Sequence, residues 1–278
     1  YLKLCNQSNG YFKMSEIRSE IKRLLPKSGN SHIKFFDTIS RVKSQRAHNF
    51  PKNTGKWTKE FLVEFQKNIT MEWSDAIPIR FVRHFKTNLN DGTYLGQGRD
   101  PDIDTIPDCK MINGTFTKLY SSPLRRCIQS ANVIAKSMKI MKDDRLLEFD
   151  YGKAEGLSYD HLANKYSNVT NGWKNGEDPK FPGGENTEDV SMRLKSFMFS
   201  LSQSINKKQS GPILIVTHNG VLRCLLGNAF GLNLNDWYKL AIPHGIPLDF
   251  FYWRNRFFPN ISRKLLGDIF QKIGSTFS

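Results

Sequence analysis

"PILIVTHNGVLRCLL", residues 212–226, carries the pattern on which the fold turns. Its opening, Pro212 to Thr217, is a continuous apolar run, the composition of a strand covered on both faces of a parallel sheet. The run stops at His218 and passes into a helix, "GVLRCLLGNAFG". A matching unit lies upstream, where "IPIRFV" (77–82) ends in Arg83 and His84. Ligands gather at the carboxyl ends of strands in such sheets. Neighbouring parallel strands would therefore bring the two imidazoles together over one sheet edge.

The surrounding chain supplies the rest of an α/β domain. "FTKLYSS" (116–122) reads as a strand, followed by a helix in "LRRCIQSANVIAKSM" (124–138), where Cys127, Ala131, Ile134 and Met138 share a face. A cap at Asn186 or Thr187 opens "EDVSMRLKSFMFSLSQSI" (188–205), with Val190, Leu194, Phe197, Leu201 and Ile205 on one stripe. "PLDFFYW" (247–253) is a last strand, and a basic amphipathic tail, "ISRKLLGDIFQKI" (261–273), follows it. Residues 76–278 are thus expected to form a three-layer α/β/α domain with a mostly parallel central sheet. Residues 1–75 differ in texture. They are rich in Lys, Arg, Ser and Asn and read as a basic, partly helical extension, with helices at "MSEIRSEIKRLL" and at "WTKEFLVEFQKNI" (57–69).

Composition narrows the function. Lys and Arg number 41 against 26 Asp and Glu, a formal charge of +15 that predicts an anionic partner. The basic extension could touch nucleic acid or an acidic surface, but it carries no nucleic-acid-binding motif and no interleaved aromatics. Four separated cysteines without a CxxC pair read as reduced thiols, which points to the cytoplasm or another reducing compartment. There is no membrane-length apolar run and no signal-peptide core. The Asn-x-Ser/Thr triplets at Asn6, Asn68, Asn113, Asn168 and Asn260 read as accidents of composition.

Chemistry-bearing residues cluster in four places, the two strand ends already named and two more. "YSSPLRRCIQSA" puts Arg125 and Arg126 in the first turn of a helix, where guanidinium groups and the helix terminus both favour anions. "LLEFDYGKAEGL" holds Glu148 in a loop. Two histidines, two or more arginines and one carboxylic acid suit phosphoryl transfer through a histidine. His84 would attack phosphorus, splitting one displacement into two. Arg83, Arg126 and His218 would neutralise the equatorial oxygens. Glu148, kept protonated by its burial and the anionic substrate, would protonate the leaving oxygen and then take a proton from water. No metal is required, and neither a metal-ligand spacing nor a Walker loop is present. Taken singly, each of these residues would read as a core, capping or solvated group. His32, His48 and His161 are read in that way, while His244 lies on a loop placed to border the site.

Together, and in this order, the motifs resemble those of the histidine phosphatase superfamily, whose fold is phosphoglycerate mutase-like. "FVRHFKTNLN" is similar to the family's Arg-His-Gly segment, with Asn90 at its later Asn, and "GQG" (96–98) to the loop that lends Gln97 to the phosphate pocket. "YSSPLRRCIQSA" is similar to the Ser-x-Leu-x-Arg start, a register that selects Arg126 over Arg125. "LLEFDYGKAEG" resembles the acid loop, "FPGGENTEDVSMRL" the linker after the lid, and "VTHNGVLRCLL" the second-histidine segment, where Asn219 is a further substrate-binding candidate. The resemblance implies a metal-independent phosphomonoesterase without a cofactor, acting on a phosphorylated small molecule or macromolecule. A phosphoglycerate-type mutase is the near alternative. The stretch Ser158 to Pro182 is short for a mutase's closing lid.

Departures from the family pattern are specific. Phe85 stands where the family has Gly, which leads us to expect a narrowed pocket or redirected contact. Lys86 replaces a common Glu, and Asn186 a common Ser. Between Ile103 and Ser122 there is no room for the usual long helix, leaving one sheet face short of cover. Phe85 and this gap are the best support for an inactive phosphate-binding scaffold; the full proton-transfer set argues against it. Helix 57–69 is expected to dock in the gap. Deletion of residues 1–75 should then yield insoluble protein, and a soluble, active truncation would overturn that expectation.

Overall fold

The computed structural model describes residues 76–106, 112, 114–205, 211–230, 232, 234–253 and 256–274. The extension 1–75, and with it the expected docking of helix 57–69, lies outside them. Six strands among the described residues make one sheet: β1 (Ile77–Arg83), β2 (Lys118–Ser121), β3 (Ile140–Lys142), β4 (Ile213–Thr217), β5 (Pro247–Trp253) and β6 (Arg256–Pro259). Their spatial order is β3-β2-β4-β1-β5-β6. The first four of that order run parallel, and β5 and β6 close one side as antiparallel strands. The mostly parallel sheet expected from the sequence is present.

β4 is buried at all five positions, as its unbroken apolar run requires. In β1 the side chains alternate: Ile79 and Phe81 enter one core, Val82 the other. Arg80 is tolerated inside this strand because Asp249, its register partner on β5, receives its guanidinium through two bonds of 2.7 and 2.9 Å. Helices lie on both faces. α1 (Arg125–Ile134) covers Val82, Leu119, Leu214 and Val216. α4 (Thr187–Ser204), α5 (Asn219–Phe230) and α7 (Arg263–Gly274) cover the opposite face. Asn186 caps α4 in a full capping box with Asp189.

Three local readings change. α1 stops at Ile134, four residues early, and after a turn over 135–139 comes β3, an edge strand too short to show a period. The stretch after Gly156, read as loop, contains α2 (Tyr159–Lys165) and α3 (Ser167–Lys174). Their Asn-, Ser- and Gly-rich sequence leaves only Leu162 and Val169 as buried apolar anchors, too few for a visible stripe. α6 (Leu234–Trp237) is a single turn. Among the described residues no helix is long and apolar enough to cross a membrane, and Cys127 and Cys224 are buried free thiols.

Phe85 answers the question raised by its position. Its ring is fully buried with Val82, Leu119, Cys127 and Ala131, beneath α1, and its N–H donates to Ser130 Oγ at 2.8 Å. The phenyl group fills the core and does not narrow a pocket. Phe85→Ala should lower stability by about 3–5 kcal/mol, the usual cost of deleting a buried aromatic ring, with no gain in activity. Urea unfolding checks the first part, and turnover of a phosphate ester the second.

Candidate active site

Register builds the centre of the site. Arg83 pairs with Thr217 across β1 and β4, so His84 and His218 leave the sheet side by side. Their ring centroids are 5.3 Å apart. The His84 N–H donates to the Thr217 carbonyl at 2.9 Å, carrying the pairing one step past the strand. His84 Nδ1 lies 2.7 Å from the Phe85 carbonyl, which can only accept. Nδ1 therefore bears the proton, and Nε2 presents its lone pair. His218 Nε2 is held 2.7 Å from Ser122 Oγ, with Cys127 Sγ at 3.4 Å.

Two cations frame this pair. Arg126, the register-selected arginine, is fully buried, whereas Arg125 points outward toward Asp102. Arg126 donates to the carbonyls of Gly96 (2.7 Å) and Arg99 (3.0 Å) and to Asp100 Oδ1 (3.1 Å). Asp100 also accepts the Arg125 N–H at 2.7 Å, so one carboxylate caps α1 and aims Arg126. Arg83 donates to the Ile242 carbonyl at 2.7 Å, and burial pushes its guanidinium down to about 10, with the Glu148 carboxylate opposing the shift. Burial first, then the charges of Arg126 and Arg83, hold His84 well below the usual histidine range; His218 is lowered for the same leading reasons.

Glu148 is buried at the edge of this cluster. Its Oε1 accepts the N–H groups of Phe149 and Gly220, each at 3.0 Å. Gly220 is needed there, since a Cβ would strike the Glu148 carboxylate and the Phe149 ring. Gln97 does not simply line a phosphate pocket. Its Nε2 donates to the Glu148 carbonyl at 2.8 Å, which Arg193 also grips at 2.9 Å. Asn90 Oδ1 accepts the Thr87 N–H at 2.9 Å and closes the turn after β1. Asn219 begins α5 immediately after His218.

Four side-chain polar atoms are buried without a hydrogen-bond partner among the described residues: Arg83 Nε, Arg126 Nε, Asn219 Oδ1 and Thr87 Oγ1. The first three belong to candidate site residues. Buried orphans are uncommon in folded proteins, and three of the four lie on residues within or next to the histidine pair's surroundings.

His244, expected on a loop bordering the site, reaches it, and Glu155 and Arg193 join it without a sequence signal. His244 donates from Nδ1 to the His84 carbonyl at 2.9 Å and sets its ring 5.2 Å from that of His84. Burial first and then the Arg83 charge push it down to about 4. Glu155 accepts the N–H groups of Gln97 and Gly98, clamping the "GQG" loop, and Arg193 reaches the site from the middle of α4. Among the described residues no group of three or more His, Cys, Asp and Glu side chains is arranged to hold a metal ion.

Comparison with known proteins is concordant. A profile described as the histidine phosphatase superfamily (branch 1) matches residues 110–246, a span containing Arg126, Glu148 and His218. Phosphoserine phosphatase 1 of Hydrogenobacter thermophilus is 27% identical over 179 residues, covering 59% of this chain and 82% of that protein. A 2,3-bisphosphoglycerate-dependent phosphoglycerate mutase of Mesorhizobium japonicum is 27% identical over 135 residues, covering 48% and 65%. In fold, the chain is similar to mycobacterial glucosyl-3-phosphoglycerate phosphatase solved with VO3, with a TM-score of 0.54 at 20% identity over 64% of this chain and 96% of that one. Entamoeba histolytica phosphoserine phosphatase, solved as a mutant with phosphoserine, gives 0.57 at 20% identity over 66% and 94%.

The lowered histidines have a consequence for stability. In the unfolded chain imidazoles take up protons near pH ~6.5, and in the folded chain His84, His218 and His244 do so only at lower pH. Between those limits the unfolded state binds more protons. Stability therefore falls as pH drops below about 6.5, by at most ~1.4 kcal/mol per pH unit for each group, and is indifferent to them above it. Urea midpoints measured from pH 7 to pH 5 should show this fall, and His244→Gln should make it shallower.

Proposed function

Since the chain belongs to the histidine phosphatase superfamily, we propose that it hydrolyses phosphomonoesters through a phosphohistidine on His84, without a metal. One observation carries the reading: orphaned Arg83 and Arg126 nitrogens beside a His84 whose Nδ1 proton is already committed. The phosphate dianion would sit among Arg83, Arg126, Asn219 and His218, where cations and neutral imidazoles favour negative charge. His84 Nε2 attacks phosphorus, and the bond to the leaving oxygen breaks as Glu148 gives that oxygen its proton. Water then attacks the phosphohistidine, Glu148 takes the water's proton, and phosphate departs. Gln97 acts here by positioning, through the Glu148 carbonyl.

The His84 tautomer supports the nucleophile's role. Protonation of Nε2 would remove the lone pair, and the surrounding positive charge opposes it. The mutase relative differs in the fate of the phosphoryl group, which a mutase would pass to a second organic acceptor. The buried thiols Cys127 and Cys224 suit a reducing compartment.

Phosphate release from a panel of monoesters in EDTA should persist for wild type. In His84→Ala it should fall on the order of 10⁴-fold or more. Acid-quenched wild type should carry acid-labile phosphate that His84→Ala lacks. Glu148→Gln should slow alkyl phosphates by about 10²–10⁴-fold and 4-nitrophenyl phosphate far less, because that leaving group needs no proton. Metal-dependent release, or equal activity in His84→Ala, would overturn the reading.

A further inference from the structure

Beside Glu148 a cavity of ≈ 490 Å³ opens between α5, α3 and the single turn α6. It begins at Gly220 and Phe149, the two residues whose N–H groups hold the Glu148 carboxyl. A general acid must lie within hydrogen-bond reach of the leaving oxygen, which phosphorus and the rest of the ester share. The space on the far side of Glu148 is therefore where the remainder of an ester would lie. That volume is in the range of small-molecule sites.

Its walls are aromatic. Tyr94, Tyr151 and Phe181 pack on one another with centroids 4.8–5.4 Å apart, and Trp173 meets Phe181 at 5.2 Å. Trp237 lines the cavity as well. Flat surfaces of this kind favour a flat, apolar guest through offset or edge-to-face contact.

One wall group is out of keeping. Arg223, on α5 one turn beyond Asn219, is half-buried and lines the cavity. Its Nε donates to the Leu240 carbonyl at 3.0 Å, and that is its one hydrogen bond to the described residues. No described carboxylate forms an ion pair with it. Of the other charged side chains on the cavity wall, Asp178 accepts the Thr187 and Glu188 N–H groups and Lys239 binds Asp236, while Glu177 forms no ion pair with Arg223 and Lys174 adds a second cation. Glu148 acts on this guanidinium only through space, with no hydrogen bond between them; a cation so placed favours a directly paired anion, and its planar fork suits a carboxylate or phosphate.

We propose that this cavity is the leaving-group subsite and that it selects phosphomonoesters whose leaving group joins an aromatic ring to a second anionic group, received by Arg223. The proposal rests on the phosphomonoesterase reading and deepens it. Burial lowers the Arg223 guanidinium from its ordinary value, in keeping with a cation awaiting a partner.

A matched pair of esters tests it: 4-(carboxymethyl)phenyl phosphate and its neutral carboxamide, which have similar phenol leaving groups. Wild type should prefer the carboxylate by at least about tenfold in kcat/KM, equivalent to one charge-assisted pairing. The ratio should fall close to one in Arg223→Gln and lie between in Arg223→Lys. A ratio near one in wild type, or one unchanged in Arg223→Gln, overturns the proposal. Should no ester turn over, the function reading fails separately, and calorimetric titration with the phosphate-free 4-hydroxyphenylacetate then decides. Saturable binding to wild type that is lost in folded Arg223→Gln upholds the subsite, and absence of binding to wild type refutes it.

Discussion

Everything at the site depends on the parallel pairing of β1 with β4. Register there is set by burial: β4 has no exposed position, so it cannot slip without moving an apolar row out of the core. The pairing ends at Arg83 and Thr217, and one further bond, His84 N–H to Thr217, extends it just far enough to set both imidazoles. Two segments separated by more than a hundred residues thereby become neighbours at a tolerance that side-chain contacts alone would not supply. The segment Ile242–Gly245 then locks the same strand end from the other side, receiving Arg83 Nη1 and donating from His244 and Gly245 to the carbonyls of His84 and Arg83.

The electrostatics follow from that arrangement. Arg83 and Arg126 sit beside imidazoles that burial already keeps neutral, and each cation deepens the effect. Neutral histidines are what a nucleophile and a phosphate-facing donor require at ordinary pH. The arginines are in turn held by carbonyl groups, with Asp100 reaching only Arg126. Carbonyl tethers orient a guanidinium without cancelling its charge, so most of the positive field remains directed at an incoming anion.

Much of this was legible in the chain. β4 and the helix after it were plain because an apolar run followed by His-Asn-Gly has few other readings, and the register of "SPLRR" separated a buried Arg126 from an exposed Arg125. The hidden parts share a cause. β3 is three residues long, and α2 and α3 have too few apolar anchors to show a period. Glu155, Arg193 and Arg223 meet partners distant in sequence, which no local pattern encodes; His244 was legible as bordering the site, but its bond to the His84 carbonyl was not. Phe85 was legible as an anomaly but not in its direction: side chains alternate across a strand and its end, and only the packed sheet shows that this ring turns into the core and away from the phosphate side.

The segment carrying α2 and α3 is fastened where it leaves the domain and where it returns. At its start Tyr94 and the residues Gly156 and Leu157 exchange two backbone bonds, and Glu155 clamps Gln97 and Gly98. At its end Lys153 bonds back to Pro182, Glu185 to Asp150, and Asp178 caps α4. Entry and exit are thus stitched together at the base, and the same bonds join that base to the acid loop and to the loop that holds Arg126. None of the bonds that set His84, His218, Arg83 and Arg126 involves residues 158–177, so that stretch can change in length and side chains, and with it the cavity wall that carries Trp173, without breaking any of them.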